Sequence, residues 1–143
     1  MNETIIIREA HQSDCSDVFR MSKSMATSFE VNETDFNNSY SAILTNSDSI
    51  CLIAETNDSP IGYLLGFDHP AFYANGRVSW MEEIYVTDEF RRKGVGKLLT
   101  NEFEKWCSER KSKLIGLATR RAAEFYKSMD YEESAIFFRK LIL

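Results

Sequence analysis

The β-branched and aromatic run Ile84-Tyr85-Val86 passes through a cationic turn, Arg91-Arg92-Lys93-Gly94-Val95-Gly96. It then enters apolar residues at helical spacing: Val95, Leu98, Leu99, Phe103 and Trp106. No other stretch restricts the fold as much. A strand that turns through glycine into an amphipathic helix belongs to a chain that lays helices on the faces of a sheet. The turn is chemically specific as well. The first turn of a helix leaves N–H groups without partners, and the macrodipole adds partial positive charge there. Gly94 and Gly96 have no Cβ to keep an anion away, and Arg91, Arg92 and Lys93 raise the local potential. Two phosphate patterns are excluded by spacing. A Walker A loop fails because one residue separates the glycines and Leu98 follows Lys97; the GxGxxG fingerprint fails because Leu99 takes its third glycine's place.

Periodicity predicts the rest of the order. Residues 4–10 read as an opening strand, residues 11–26 as a helix with Val18, Met21 and Met25 on one face, and residues 33–46 as a second helix. SICLIAETND and IGYLLGFDHP form a hairpin across Asn57-Asp58-Ser59-Pro60, and RVSWMEEIYV forms a long strand. The glycine-led helix runs to about Arg110. KLIGLAT is a short buried strand, TRRAAEFYKSM a helix capped by Thr119, and YEESAIFFRKLIL a closing strand. The order β-α-α-β-β-β-α-β-α-β predicts an α/β fold, a mixed sheet with helices on its faces, as one domain over residues 1–143.

Charge and cysteine usage narrow the partners. From Arg91 onward there are 13 Lys/Arg against 7 Asp/Glu, and before it 4 against 15. That asymmetry suits an anion at the C-terminal half and a cation near the N-terminal half, although oppositely charged solvated faces would produce it too. Cys15, Cys51 and Cys107 are odd in number and lack metal spacing, so a reducing cytoplasmic setting and no metal are expected. The Asn-x-Ser/Thr patterns at Asn2, Asn32, Asn37 and Asn57 then carry no weight. No segment approaches a membrane span, and the basic runs lack the interleaved aromatics of a nucleic-acid binder.

The run EEIYVTDEFRRKGVGKLL resembles the cofactor motif of the GNAT superfamily of N-acetyltransferases, and AAEFYKSMDYEES resembles that family's AxxFYxxxGF segment. The likeness covers most of the chain. It implies a central, mostly antiparallel sheet with a splayed strand pair, flanked by about four helices. Acetyl-CoA is the implied cofactor. Its pyrophosphate would rest on the amides of Arg92 to Lys97, and its pantetheine arm would pair with the backbone of Ile84, Tyr85 and Val86. Two positions depart from the family pattern. Thr119 stands where the family often has Asn, and Asp130 replaces a glycine that needs positive φ.

The resemblance also implies the chemistry. Acetyl transfer needs a neutral nitrogen, a polarised carbonyl and a proton for the departing thiolate. A thiol titrates near roughly 8.5 and a tyrosine near roughly 10, so Tyr126 is placed as general acid. The Val86 N–H would polarise the carbonyl. By likeness to polyamine-acetylating members, Glu82 would be the base and Glu83 would hold a cationic acceptor. Alternation along a strand sends the two carboxylates to opposite faces unless a bulge intervenes. The acceptor is expected to be a small amine or a peptide, with room for a homodimer through the last strand. The alternative is a non-catalytic CoA-binding regulatory module.

Overall fold

A computed structural model describes residues 4–142. The Asn2 acceptor pattern and the final residue of the expected closing strand lie outside them. The elements are β1 (Ile6–Glu9), α1 (Cys15–Met25), α2 (Glu33–Thr45), β2 (Ser49–Thr56), β3 (Ser59–Ala71), β4 (Gly76–Val86), α3 (Val95–Glu109), β5 (Ile115–Gly116) and α4 (Ala123–Ser128). Short 3-10 turns precede α1 and follow β4. The sheet runs β1-β2-β3-β4-β5, antiparallel throughout except for the parallel β4–β5 pair.

β2 explains why the sheet is covered on both sides. Its run Ile-Cys-Leu-Ile-Ala is continuously apolar and buried, as a strand covered on both faces requires. Ile50, Leu52 and Ala54 join Leu64, Met81, Val95, Leu99, Phe103 and Tyr126 on the α3 face. Cys51 and Ile53 join Val18, Met21, Tyr40 and Tyr63 on the α1–α2 face. Gly66 fits this packing because a Cβ there would strike the Phe103 ring.

One end of the sheet is fastened by charge. The Asp68 carboxylate is fully buried and takes bonds from Arg77 (2.8 and 3.0 Å) and Arg110 (2.6 and 2.9 Å), while Asp48 takes one from each arginine. This cluster ties the β3–β4 hairpin to the C-terminal end of α3. β5 is joined to β4 at the same end, by Ser79 N–H to Leu114 O and Lys113 N–H to Arg77 O.

Three expectations need correction. The stretch KLIGLAT makes only a two-residue strand, because β4 and β5 pair at Ser79↔Ile115 and Trp80↔Gly116 alone. The helix expected to be capped by Thr119 begins at Ala123, with Ala122 at its N-cap, after a bend at Arg120 and Arg121. The expected closing strand is not formed: residues 132–142 run beyond α4 without a strand partner. Their β-branched and aromatic content suits a strand, yet no edge of this chain's sheet takes them.

Candidate active site

The site begins where β4 outlives its partner. Beyond Trp80, β4 runs on through residues 81–86 with nothing paired on the β5 side. Thr87 N–H donates to Ile61 O on β3 (2.8 Å), and successive residues alternate in direction. Val86 and Ile84 therefore turn their main-chain groups into the gap, whereas Tyr85 turns its own toward β3. Of the three residues expected to receive an extended cofactor arm, only Ile84 and Val86 offer backbone to the gap. The Val86 carbonyl is already held by Arg91 Nε at 2.9 Å, which leaves the Val86 N–H.

The glycine turn opens α3 beside this gap. Gly94 precedes the helix at φ 83° and ψ 7°, left-handed geometry that favours glycine. Arg92 is also left-handed, at φ 62°. No side chain caps the helix and no acid lies in its first turn. The amides of Val95, Gly96 and Lys97 are thus presented in the open manner that an anion requires. The cations divide into two groups. Arg91 pairs with Asp88 at 2.9 Å and lies over the Tyr85 ring, and Lys93 lies over Phe90. Arg92 and Lys97 make no ion pair among the described residues and are exposed.

Tyr126 sits at the fork. Its ring is buried, edge-on to Phe125 and Tyr131, and its hydroxyl donates only to the Met81 thioether at 3.6 Å. Met81 is the first β4 residue past the β5 pairing, so this hydroxyl marks where the strands part. Burial alone raises its pKa, which keeps the proton on the oxygen. The helix is fixed from behind. Tyr131 N–H bonds Tyr126 O and Asp130 N–H bonds Lys127 O, a Schellman closure in which Asp130 takes φ 68°. Asp130 thus adopts the positive φ expected of the glycine it replaces. Tyr131 then donates to Glu104 on α3 at 2.7 Å. Thr119 Oγ1 accepts from Ala122 N–H at 3.0 Å, which leaves its O–H and a second lone pair for a ligand.

The two glutamates do not split across the sheet. Leu65 pairs with Glu83 and Gly66 with Met81, which makes Glu82 the extra residue of a bulge. Glu83 accepts from Tyr63 at 2.6 Å and Glu82 accepts from Trp80 Nε1; both partners lie on the α1–α2 side. Burial lifts the Glu83 carboxyl above its ordinary range. The Tyr63 bond opposes that shift and the charge of Glu82 adds to it. Glu82 itself is exposed. Tyr63 and Met81 were not singled out from sequence. The hairpin register carries the signal for Tyr63, since it faces Tyr85 two places along from Glu83.

Among the described residues no cluster of His, Cys, Asp and Glu is placed to hold a metal, and no helix is long and apolar enough to cross a membrane. The Acetyltransferase (GNAT) family profile matches residues 11–131. An uncharacterised N-acetyltransferase of Methanocaldococcus jannaschii is 26% identical over 89 residues, a match covering 59% of this chain but only 39% of that protein. The thialysine N-epsilon-acetyltransferase of Bos taurus is 25% identical over 148 residues, covering 90% of this chain and 85% of that one. In fold, the glucosamine-6-phosphate N-acetyltransferase of Arabidopsis thaliana superposes with a TM-score of 0.86 at 19% identity, over 98% of this chain and 99% of the other. With the parted strands, the open helix start and the buried tyrosine between them, the profile match shows that the chain belongs to the GNAT family of acetyltransferases.

Proposed function

We propose that the chain, as a single domain, transfers acetyl from acetyl-CoA to a primary amine on a cationic small molecule or a lysine-like side chain. One observation supports this: Tyr126 Oη reaches Met81, where β4 parts from β5, and Glu83 stands two residues further along the same unpaired stretch with its side chain on the Tyr63 side. Groups on opposite faces can serve one reacting centre only where the strands have separated, and here they separate at Met81. The residues present fit the cofactor. The amides of Val95, Gly96 and Lys97, with the unpaired cations Arg92 and Lys97, suit a diphosphate, and Ile84 and Val86 suit an extended arm. When bound, acetyl-CoA supplies an acetyl group activated as a thioester.

The side chains divide the remaining work. Glu83, half-buried and raised in pKa, is the better base, because a carboxylate nearer neutrality takes a proton from an ammonium more readily. The sequence expectation gave that role to Glu82; exposed and tied to Trp80, Glu82 is better placed to attract the acceptor's charge. The Val86 N–H stands ready for a developing negative oxygen. Tyr126 Oη holds a proton available to a departing thiolate.

A panel of diamines, lysine analogues and neutral amines, followed by release of free CoA, tests the reading. Cationic amines should support steady release, and Glu83→Gln should lower kcat/KM by about a hundredfold and remove the acid limb of its pH profile. In the wild type that limb should lie above the usual carboxylate range, since activity appears only as pH rises through the raised pKa of Glu83. Cofactor binding without turnover on any amine would instead support a CoA-binding regulator.

Gly94→Val tests the cradle. A β-branched residue at φ 83° is strained, and relaxing it moves the first amides of α3. No atom lies within 4 Å of the Cβ position, so the effect would come from the backbone rather than from a clash within the protein. Calorimetry should show acetyl-CoA affinity falling by about tenfold or more, the equivalent of a lost charge-assisted contact. Unchanged affinity would remove the helix start from the binding site.

A further inference from the structure

The segment after α4 joins no sheet, yet its course is defined. Among the described residues, none of the main-chain groups from Glu132 to Ile142 bonds another main-chain group. Side chains hold the ribbon instead. At its start Tyr131 donates to Glu104 on α3, on one face of the sheet. Further along, Phe137 stacks on Trp80 with centroids 6.2 Å apart, and Arg139 donates to Ser28 at 2.9 Å. Both of these contacts lie on the other face. Trp80 is next to Met81 on the strand and so points away from α3, and Ser28 belongs to the α1–α2 connection. The ribbon therefore passes round the β5 edge, across the fork, and ends on the side where Glu82 and Glu83 stand.

That course sets a cation across from two acids. Phe137 and Arg139 turn toward the body while Ile136 and Phe138 face water, the period of an extended chain. Two extended residues advance about 7 Å, so Arg139 stands one side chain's reach beyond the Trp80 ring that holds Glu82. Arg139 is exposed and forms no ion pair among the described residues. The Ser28 hydroxyl engages one of its N–H groups and leaves the rest of the guanidinium open. Such a fork matches a carboxylate in both shape and charge. On the acetyl-transfer reading, the structure assigns to Arg139 a second contact with the acceptor: it holds a carboxylate while the amine at the far end meets Glu83. The acceptor class narrows to a free amino acid whose side chain ends in an amine. A diamine would set its second ammonium against the arginine, and a lysine inside a peptide has no carboxylate to offer there.

L-lysine and L-lysinamide test the assignment, since they share the distal amine and the chain length and differ only at that carboxylate. Release of CoA from acetyl-CoA gives kcat/KM for each. Calorimetry with CoA in place of acetyl-CoA, so that no acetyl can move, gives Kd for each. The wild type should favour lysine by about tenfold or more in both measurements, the worth of one charge-assisted contact. R139Q should bring both ratios to within about threefold of unity, and R139E should reverse the preference, because a carboxylate then meets a carboxylate. F137A removes the stack on Trp80 and leaves Arg139 itself unaltered; its ratios should fall below those of the wild type. Thermal melting confirms that each variant is folded. A wild type indifferent to the carboxylate, an R139Q variant that keeps the wild-type ratio, or a lysine blocked at both termini that is acetylated faster than free lysine would overturn the proposal. If no amine releases CoA, the acetyl-transfer reading falls, while the ratio of Kd values still decides the role of Arg139.

Discussion

Replacing Tyr126 with Phe should lower turnover by about a hundredfold at neutral pH while changing acetyl-CoA affinity by less than about threefold, the loss expected when a positioned general acid is removed. The substitution keeps the ring, and with it the edge-on contacts to Phe125 and Tyr131. Only the bond from the hydroxyl to Met81 Sδ disappears. A thioether is a weak acceptor, so this buried hydroxyl is poorly satisfied and adds little to stability. The variant should therefore melt at or above the wild-type temperature. Rates from single-turnover acetyl transfer and Kd from calorimetry separate the two effects. Full turnover would reduce Tyr126 to a core side chain.

The second large effect lies two register positions from Met81, toward the β3–β4 turn. Asp68→Ala should destabilise the fold by about 3 kcal/mol, near the lower edge for breaking a buried ion pair because both arginines keep some solvent contact. In this size range that lowers Tm by roughly 10 °C. Burial pushes the Asp68 carboxyl upward, but the bonds from Arg77 and Arg110 outweigh it and hold the pKa at about 2. Its folded value lies below its unfolded one, so its stabilisation is full above about pH 4 and fades as pH falls toward 2. Asp68→Asn should accordingly flatten stability across that acid window. A Tm within error of wild type would show that the cluster is ornamental.

These two sites were not equally legible in the sequence. Tyr126 and the Gly94 turn could be found because each depends on a short local pattern: an aromatic pair on a helix, and a glycine pair after a strand. The Asp68 cluster could not, since its members come from a loop, two strands and a helix end, brought together only by sheet register. Nor could the side taken by Glu82 and Glu83 be read, because it turns on one extra residue opposite Leu65 and Gly66. The α1–α2 face could be read in kind, from Val18 and Met21 at helical spacing. Local pattern also misled. The apolar and aromatic content of residues 134–142 reads as a strand, but a strand needs a neighbour, and composition does not say whose.

The fastening at Asp68 and the fork at Met81 together make the sheet resemble a clothes-peg, sprung at one end and gaping at the other. The cross-links lie at the fastened end, and the unpaired stretch of β4 has no β5 bonds for a substitution to break. Altered side chains around Asp68 should thus be felt first as lost heat resistance. Changes around Trp80, Glu82 and the α1–α2 connection should alter acceptor preference on the proposed reading before they alter heat resistance.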